Sequence, residues 1–163
     1  MRFAANLSKF MRMAQPLKLK AHSREDLEVM SAVLQDAAVR VGDIAYLRDS
    51  HRFALVASRY CWESANSGER RKRSRRRGER VRTGLHFETV LKAEAQNVPM
   101  RDDSHVMELL AVKAEETPDG EMTIVLEFSG FATVRLHVEC IEAYVKDLTD
   151  PWIALSRPEH AID

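Results

Sequence analysis

The chain has 163 residues, 45% of them hydrophobic, 31% charged and 7% aromatic, enough to enclose one core but hardly two. Twenty-five basic residues balance 25 acidic ones, and no apolar run approaches the roughly 20 residues of a membrane helix. Two cysteines, Cys61 and Cys140, lie too far apart for a zinc knuckle and are too few for a disulfide framework, which points to a reducing, cytoplasmic setting.

In chain order, Phe3, Leu7, Phe10 and Met11 share a helical face with Arg2, Lys9 and Arg12 as the only charges, and residues 1–15 are read as a flexible extension before the domain proper. Leu17 and Leu19 alternate with lysines as in a short strand. Ser23, three residues before Asp26, sets a capping arrangement for a helix whose apolar stripe runs Leu27, Met30, Ser31, Leu34, Ala37 and Ala38. Val39 and Val41 lead to the turn or bulge signal Gly42-Asp43, then to Ile44–Leu47, a polar break over 48–51, and a strand over 53–62.

The stretch from 70 to 82 holds nine basic residues and one acid, Glu79, leaving 16 basic against 24 acidic residues elsewhere. A domain of about −8 therefore carries an insert of about +8. Strand-like text follows over 81–95, so a basic loop spanning 63–82 is expected between two strands. Residues 106–113 form another strand, Pro118-Asp119-Gly120 is a hairpin turn, and Met122, Ile124, Leu126 and Phe128 alternate with Thr123, Val125 and Glu127, then Val134, Leu136 and Val138 with Thr133, Arg135 and His137, each strand expected to bury one face. Ile141, Tyr144, Val145 and Leu148 fall at helical spacing before Pro151, predicting a closing helix over 139–148 and a tail over 151–163. The expected fold is α+β: one domain over 16–150 with a curved antiparallel sheet or partly open barrel, packed by an early helix and a C-terminal helix, of which a pleckstrin-homology-like roll is one form.

The words Pro16-Leu17-Lys18-Leu19-Lys20-Ala21-His22, Leu34-Gln35-Asp36-Ala37, Val41-Gly42-Asp43, Arg52-Phe53-Ala54-Leu55-Val56, Gly84-Leu85-His86-Phe87 and Val138-Glu139-Cys140-Ile141-Glu142 give a resemblance over roughly residues 16–160. They are similar to the uncharacterised bacterial family catalogued as domain of unknown function 2948. The resemblance implies a bacterial, cytosolic, single-domain protein and carries over no activity, ligand or catalytic residue.

The residues offer little catalytic chemistry. His137-Val138-Glu139-Cys140 has the His-x-Glu spacing of zinc deaminases but lacks the two further cysteines such a site needs, and the residues read more simply as an outward strand histidine, a helix-start glutamate and a buried thiol. A nucleophilic Cys61 or Cys140 beside His86 or His137 has no supporting motif, and their apolar neighbours argue for burial. His22, His51, His105 and His160 stand among polar or turn residues, and no phosphate loop, nucleophile elbow or dinucleotide fingerprint occurs, so no cofactor is expected and an enzyme is disfavoured.

The basic run carries the functional expectation. Arg70, Arg71, Lys72, Arg73, Arg75, Arg76, Arg77, Arg80 and Arg82 are the candidate contacts for an anionic partner, RNA or DNA phosphates, through guanidinium–phosphate pairing. No aromatic residue interrupts the run, so base stacking has to come from elsewhere. An acidic protein surface or a second copy of the chain is the other class of partner, and a merely solvated loop is the bland account.

Overall fold

The computed structural model describes residues 16–61 and 79–149, and the backbone of 152–153. Among these residues are one α-helix and ten strands: β1 (Lys18–Ala21), α1 (Arg24–Leu34), β2 (Ala37–Leu47), β3 (Arg52–Tyr60), β4 (Glu79–Phe87), β5 (Val90–Gln96), β6 (Val106–Glu116), β7 (Met122–Phe128), β8 (Thr133–Val138), β9 (Ala143–Asp147) and β10 (Trp152–Ile153). All pairings are antiparallel, in the order β1-β9-β4-β3-β2-β6-β7-β8-β5, with β10 on β4. At its far end the sheet bends back on itself. The Val90 N–H of β5 donates to the His51 carbonyl at 2.8 Å, and the Tyr46 hydroxyl donates to the Val90 carbonyl at 3.1 Å. The inward faces thus surround one core, with Phe53, Leu85, Phe87, Leu109, Phe128 and Leu136 among its buried members.

Local signals explain the elements that form as expected. Ser23 caps α1 by accepting from the Asp26 N–H at 3.1 Å, and Leu27, Met30 and Leu34 turn inward. The Ser31 hydroxyl accepts from the Val112 N–H at 2.9 Å, fastening the helix to β6. Gly42-Asp43 falls where the β2–β3 register shifts, between Val39 and Ile44, so it is a bulge within one continuous strand. Gly120 adopts φ +83° in the turn between β6 and β7, a conformation that a side chain would strain.

The helix-packed α+β expectation is corrected at three places. Residues 139–148 form no helix: they lead into β9, whose Ala143, Val145 and Asp147 point inward while Tyr144 and Lys146 point out. The segment also holds a period-two set, Ile141, Ala143 and Val145, which suits a strand, and the decision comes from β1 and β4, which β9 joins and whose backbone groups a helix would leave unpaired. With the closing helix goes the pleckstrin-homology-like reading, and the fold is mainly an open antiparallel sheet carrying one helix. At the other places, α1 stops at Leu34 because Asp36 turns to φ +63° and Ala37 and Ala38 enter β2, and 81–95 divides at Glu88-Thr89 into β4 and β5.

The most consequential interior contact is ionic. Arg59 has the same inward parity in β3 as Phe53, Leu55 and Ala57, and its side chain is fully buried. Its Nε donates to Asp147 Oδ1 at 2.9 Å, its Nη2 donates to Oδ2 at 2.6 Å, and its Nη1 donates to the Tyr60 carbonyl at 3.1 Å. Asp147 also accepts from the Thr83 hydroxyl at 2.8 Å and the Leu17 N–H at 2.8 Å. One carboxylate thereby ties β3, β4 and β9 to the approach to β1. Asp147→Ala leaves the guanidinium buried without its counter-charge, at an expected cost of about 3–5 kcal/mol in urea unfolding, whereas the double replacement Arg59→Met with Asp147→Leu recovers most of that loss. A single replacement costing under about 1 kcal/mol would show that the pair does not hold this end of the sheet.

Candidate functional site

The outward faces of the two halves of the sheet differ in how their charges are used. Over β5 to β8 the long side chains pair: Arg135 with Glu115 at 3.1 Å, Lys113 with Glu127 at 3.2 Å, and Lys92 with Glu94. These pairs lie across Thr123 and Val125, both buried on the outward side of β7. Over β1, β9, β4, β3 and β2 the arrangement is otherwise. Registers align Lys18, Lys146, Gly84 and Val56 in one cross-strand row, and Lys20, Tyr144, His86, Ala54 and Ala45 in the next. Arg82, Ser58 and Ala38 follow on the other side of the first row. Lys18, Lys20, Lys146 and Arg40 are exposed, and among the described residues none has an acid within ion-pair distance. Arg82 reaches Asp43 only at 3.9 Å.

Between these cations lies an apolar depression of about 420 Å³, floored by Ala45, Ala54, Val56 and Gly84 and bounded by Tyr144 and Leu148. Leu148 is 54% exposed and leaves its side chain at the rim of this depression. A smaller hollow of about 280 Å³ continues past Asp43 and Val56 to Ala38, Arg40, Ser58 and Arg82. The opposite end of the apolar depression opens into a polar cleft of about 500 Å³ that includes Arg52, His86, Glu88, Thr89, Glu142 and Tyr144. Charges in this cleft are mutually engaged: Arg52 Nε donates to Glu88 at 2.6 Å and the Tyr144 hydroxyl donates to Glu142 at 2.8 Å. His51 and Thr89 line it with φ of +51° and +56°.

His86 and Tyr144 stand side by side with ring centroids 4.8 Å apart, and His22 meets Tyr144 edge-on at 6.3 Å. Desolvation holds the His86 imidazole below its ordinary pKa, against the opposing pull of Glu88 at 3.6 Å. The hydrogen bond to Glu142 holds the Tyr144 phenol above its ordinary range. Near neutrality this corner therefore presents a neutral ring pair, and the positive charge beside it belongs to lysine and arginine.

Of the nine expected contact residues, Arg70, Arg71, Lys72, Arg73, Arg75, Arg76 and Arg77 lie outside the described residues. Arg80 and Arg82 are not loop residues but belong to β4. Arg80 is committed locally, its guanidinium 4.1 Å from the Tyr60 ring centre and donating to the Tyr60 hydroxyl at 2.6 Å and the Ser58 carbonyl at 3.0 Å. Arg82 opens onto the groove. Sequence reading passed over Lys18, Lys20, Lys146 and Arg40; the alternation of Lys18 and Lys20 with Leu17 and Leu19 already marked the first two as outward.

Cys61 is buried, whereas Cys140 is exposed, contrary to the expectation from its apolar neighbours, because it falls in the bend before β9. Glu139 lies in that same bend, not at a helix start, and His137 faces outward from β8 with Nε2 3.7 Å from Glu94. Among the described residues, no group of three His, Cys, Asp or Glu side chains is placed to hold a metal ion. Also among them, no helix is long and apolar enough to cross a membrane.

Because the folded His86 ring is harder to protonate than the unfolded one, it binds fewer protons below pH 6.5, and its contribution to stability rises as pH climbs toward 6.5. Its imidazole resonances are expected to titrate with a midpoint below 6.5 in an NMR pH series; a midpoint at or above that value would remove the desolvated ring pair from the description of the site.

No curated protein and no solved structure matches the chain. A family model does match, over residues 17–160, and its description is "Protein of unknown function (DUF2948)". With that match spanning β1 to β10 and every residue of the cationic face and groove, the chain belongs to the DUF2948 family.

Proposed function

We propose that the protein is a non-enzymatic binding protein whose partner is a nucleic acid, held by its phosphates on the outward face of β1, β9, β4, β3 and β2. The observation that carries this reading is the set of unpaired cations, Lys18, Lys20, Lys146 and Arg40, spread over one face of a domain whose other outward face neutralises its own charges. Held on paired strands, these groups converge on a polyanion with little ordering cost, and the counterions they displace supply the driving force. In sequence the run at 70–77, with seven further cations, falls between β3 and β4, the middle strands of the same face.

Catalysis finds no comparable support: in the polar cleft Glu88 accepts from Arg52 and Glu142 from Tyr144, and the exposed Cys140 thiol has the Thr89 hydroxyl at 3.8 Å as its polar neighbour.

The test is fluorescence anisotropy of nuclease-treated protein with short single-stranded RNA and DNA across a salt series. Replacing Lys18, Lys20 and Lys146 together by serine is expected to weaken binding at low salt and to flatten the logarithmic salt slope by about 2, roughly 0.7 for each lost phosphate contact. Replacing Arg71, Lys72, Arg73, Arg75, Arg76 and Arg77 by serine is expected to flatten it further. Unchanged affinity and slope in both variants would reject the reading. Self-association that the same replacements abolish would assign the face to an acidic protein surface instead.

A further inference from the structure

Gly84 stands in the middle of β4, where a glycine weakens a strand and normally answers a need of the backbone. None of the usual needs applies. Its φ is not in the left-handed region, and its neighbours keep regular register on both sides, Val56 in β3 and Lys146 in β9. A Cβ built there would touch only the Leu148 side chain, at 3.6 Å, an ordinary contact. The fold therefore accepts a side chain at this position, and the glycine keeps open the floor of the apolar groove. Along the strand it is flanked by Arg82 and His86, and across it by Lys146 with Lys18 beyond.

We propose that the groove over Gly84 seats a nucleobase of a single-stranded nucleic acid, with the adjoining phosphates on Arg82, Lys146 and Lys18. The inference rests on the phosphate-binding reading above and adds what the groove contributes. A base has a flat apolar face and an anionic backbone on either side of it, which matches an apolar floor with Lys146 and Lys18 on one side and Arg82 and Arg40 along its continuation, Asp43 being the one acid among the described residues at its edge. The His86–Tyr144 ring pair forms the wall against which such a base packs, supplying the aromatic surface that the run at 70–82 lacks. The hollow lined by Arg40, Ser58 and Arg82 continues the groove, so the neighbouring nucleotide has a place as well, which favours a strand over a free nucleotide. In a duplex the base faces are stacked on one another and cannot enter.

Gly84→Leu fills the groove without removing a charge. It is expected to loosen single-stranded RNA binding about tenfold at every salt concentration with the salt slope unchanged, and to leave binding of inorganic polyphosphate and of duplex RNA as in the unaltered protein. Ala54→Leu fills the same groove from β3 and is expected to act alike, so the test stands even if one variant fails to fold. Folded variants that bind single-stranded RNA as tightly as the unaltered protein, while polyphosphate still binds, overturn the groove's role and leave the phosphate-binding reading intact. Failure of the unaltered protein to bind either RNA or polyphosphate overturns both. Binding to phosphatidylserine vesicles that exceeds binding to RNA and is lost in Gly84→Leu would assign the groove to an acyl chain and overturn the nucleobase.

Discussion

A single buried carboxylate sets the geometry at one end of this protein. Asp147 receives two donors from Arg59, one from Thr83 and one from the Leu17 backbone, so four stretches of chain far apart in sequence meet at one pair of oxygens. Apolar residues at these positions would pack equally well in several registers, whereas a bidentate guanidinium–carboxylate pair is satisfied in one. In a sheet this selectivity reaches further than the contact itself, because a slip of one residue would exchange the two faces of a strand. If β9 slipped against β4, Lys146 and Tyr144 would turn into the core and Val145 outward. The outward arrangement of cations, ring pair and glycine thus depends on an interaction on the opposite side of the sheet.

The neutral total of the chain conceals a spatial division. Acids and bases over β5 to β8 pair with one another, and further acids stand at Asp102-Asp103 and along α1, while on the outward face of the other half Lys18, Lys20, Lys146 and Arg40 have no acid within ion-pair distance among the described residues. A molecule so divided has little net force on a distant ion but a strong orienting field close to the surface, which turns the cationic face toward an approaching polyanion and the acidic side away. Net charge, a poor guide here, hides what the distribution does.

How much of this could be read from the chain depends on whether the deciding interaction was local. The Ser23 cap, the Pro118-Asp119-Gly120 turn and the alternation of β8 are settled within a few residues and form where expected. By contrast β7, expected to bury one face, also buries Thr123 and Val125 on the other because the ion pairs of its neighbours cover them. The segment before Pro151 holds a helical set, Ile141, Tyr144, Val145 and Leu148, and a strand set, Ile141, Ala143 and Val145, and its outcome rests on β1, about 125 residues earlier in the chain, through the pairing of Leu19 with Val145. The candidate site shows the same limit. The run of arginines announced an anionic partner, but the groove is assembled from Lys18, Arg40, Ala54, Gly84 and Lys146, ordinary residues whose juxtaposition no spacing reveals. Arg59 did leave a trace, an arginine at core parity in a strand that is otherwise apolar on that side.

The strand directions have one more consequence. Residue 17 begins beside Asp147; β3 ends and β4 begins at the same end of the sheet; and Leu148 and Thr149 hydrogen-bond Arg82 there as the chain leaves β9. Residues 15, 62, 78 and 150 are thus all joined to one end of the domain. Points of the chain separated by more than a hundred positions are brought together at one end of the sheet, so a label attached at residue 17, 61, 79 or 149 reports on that same end.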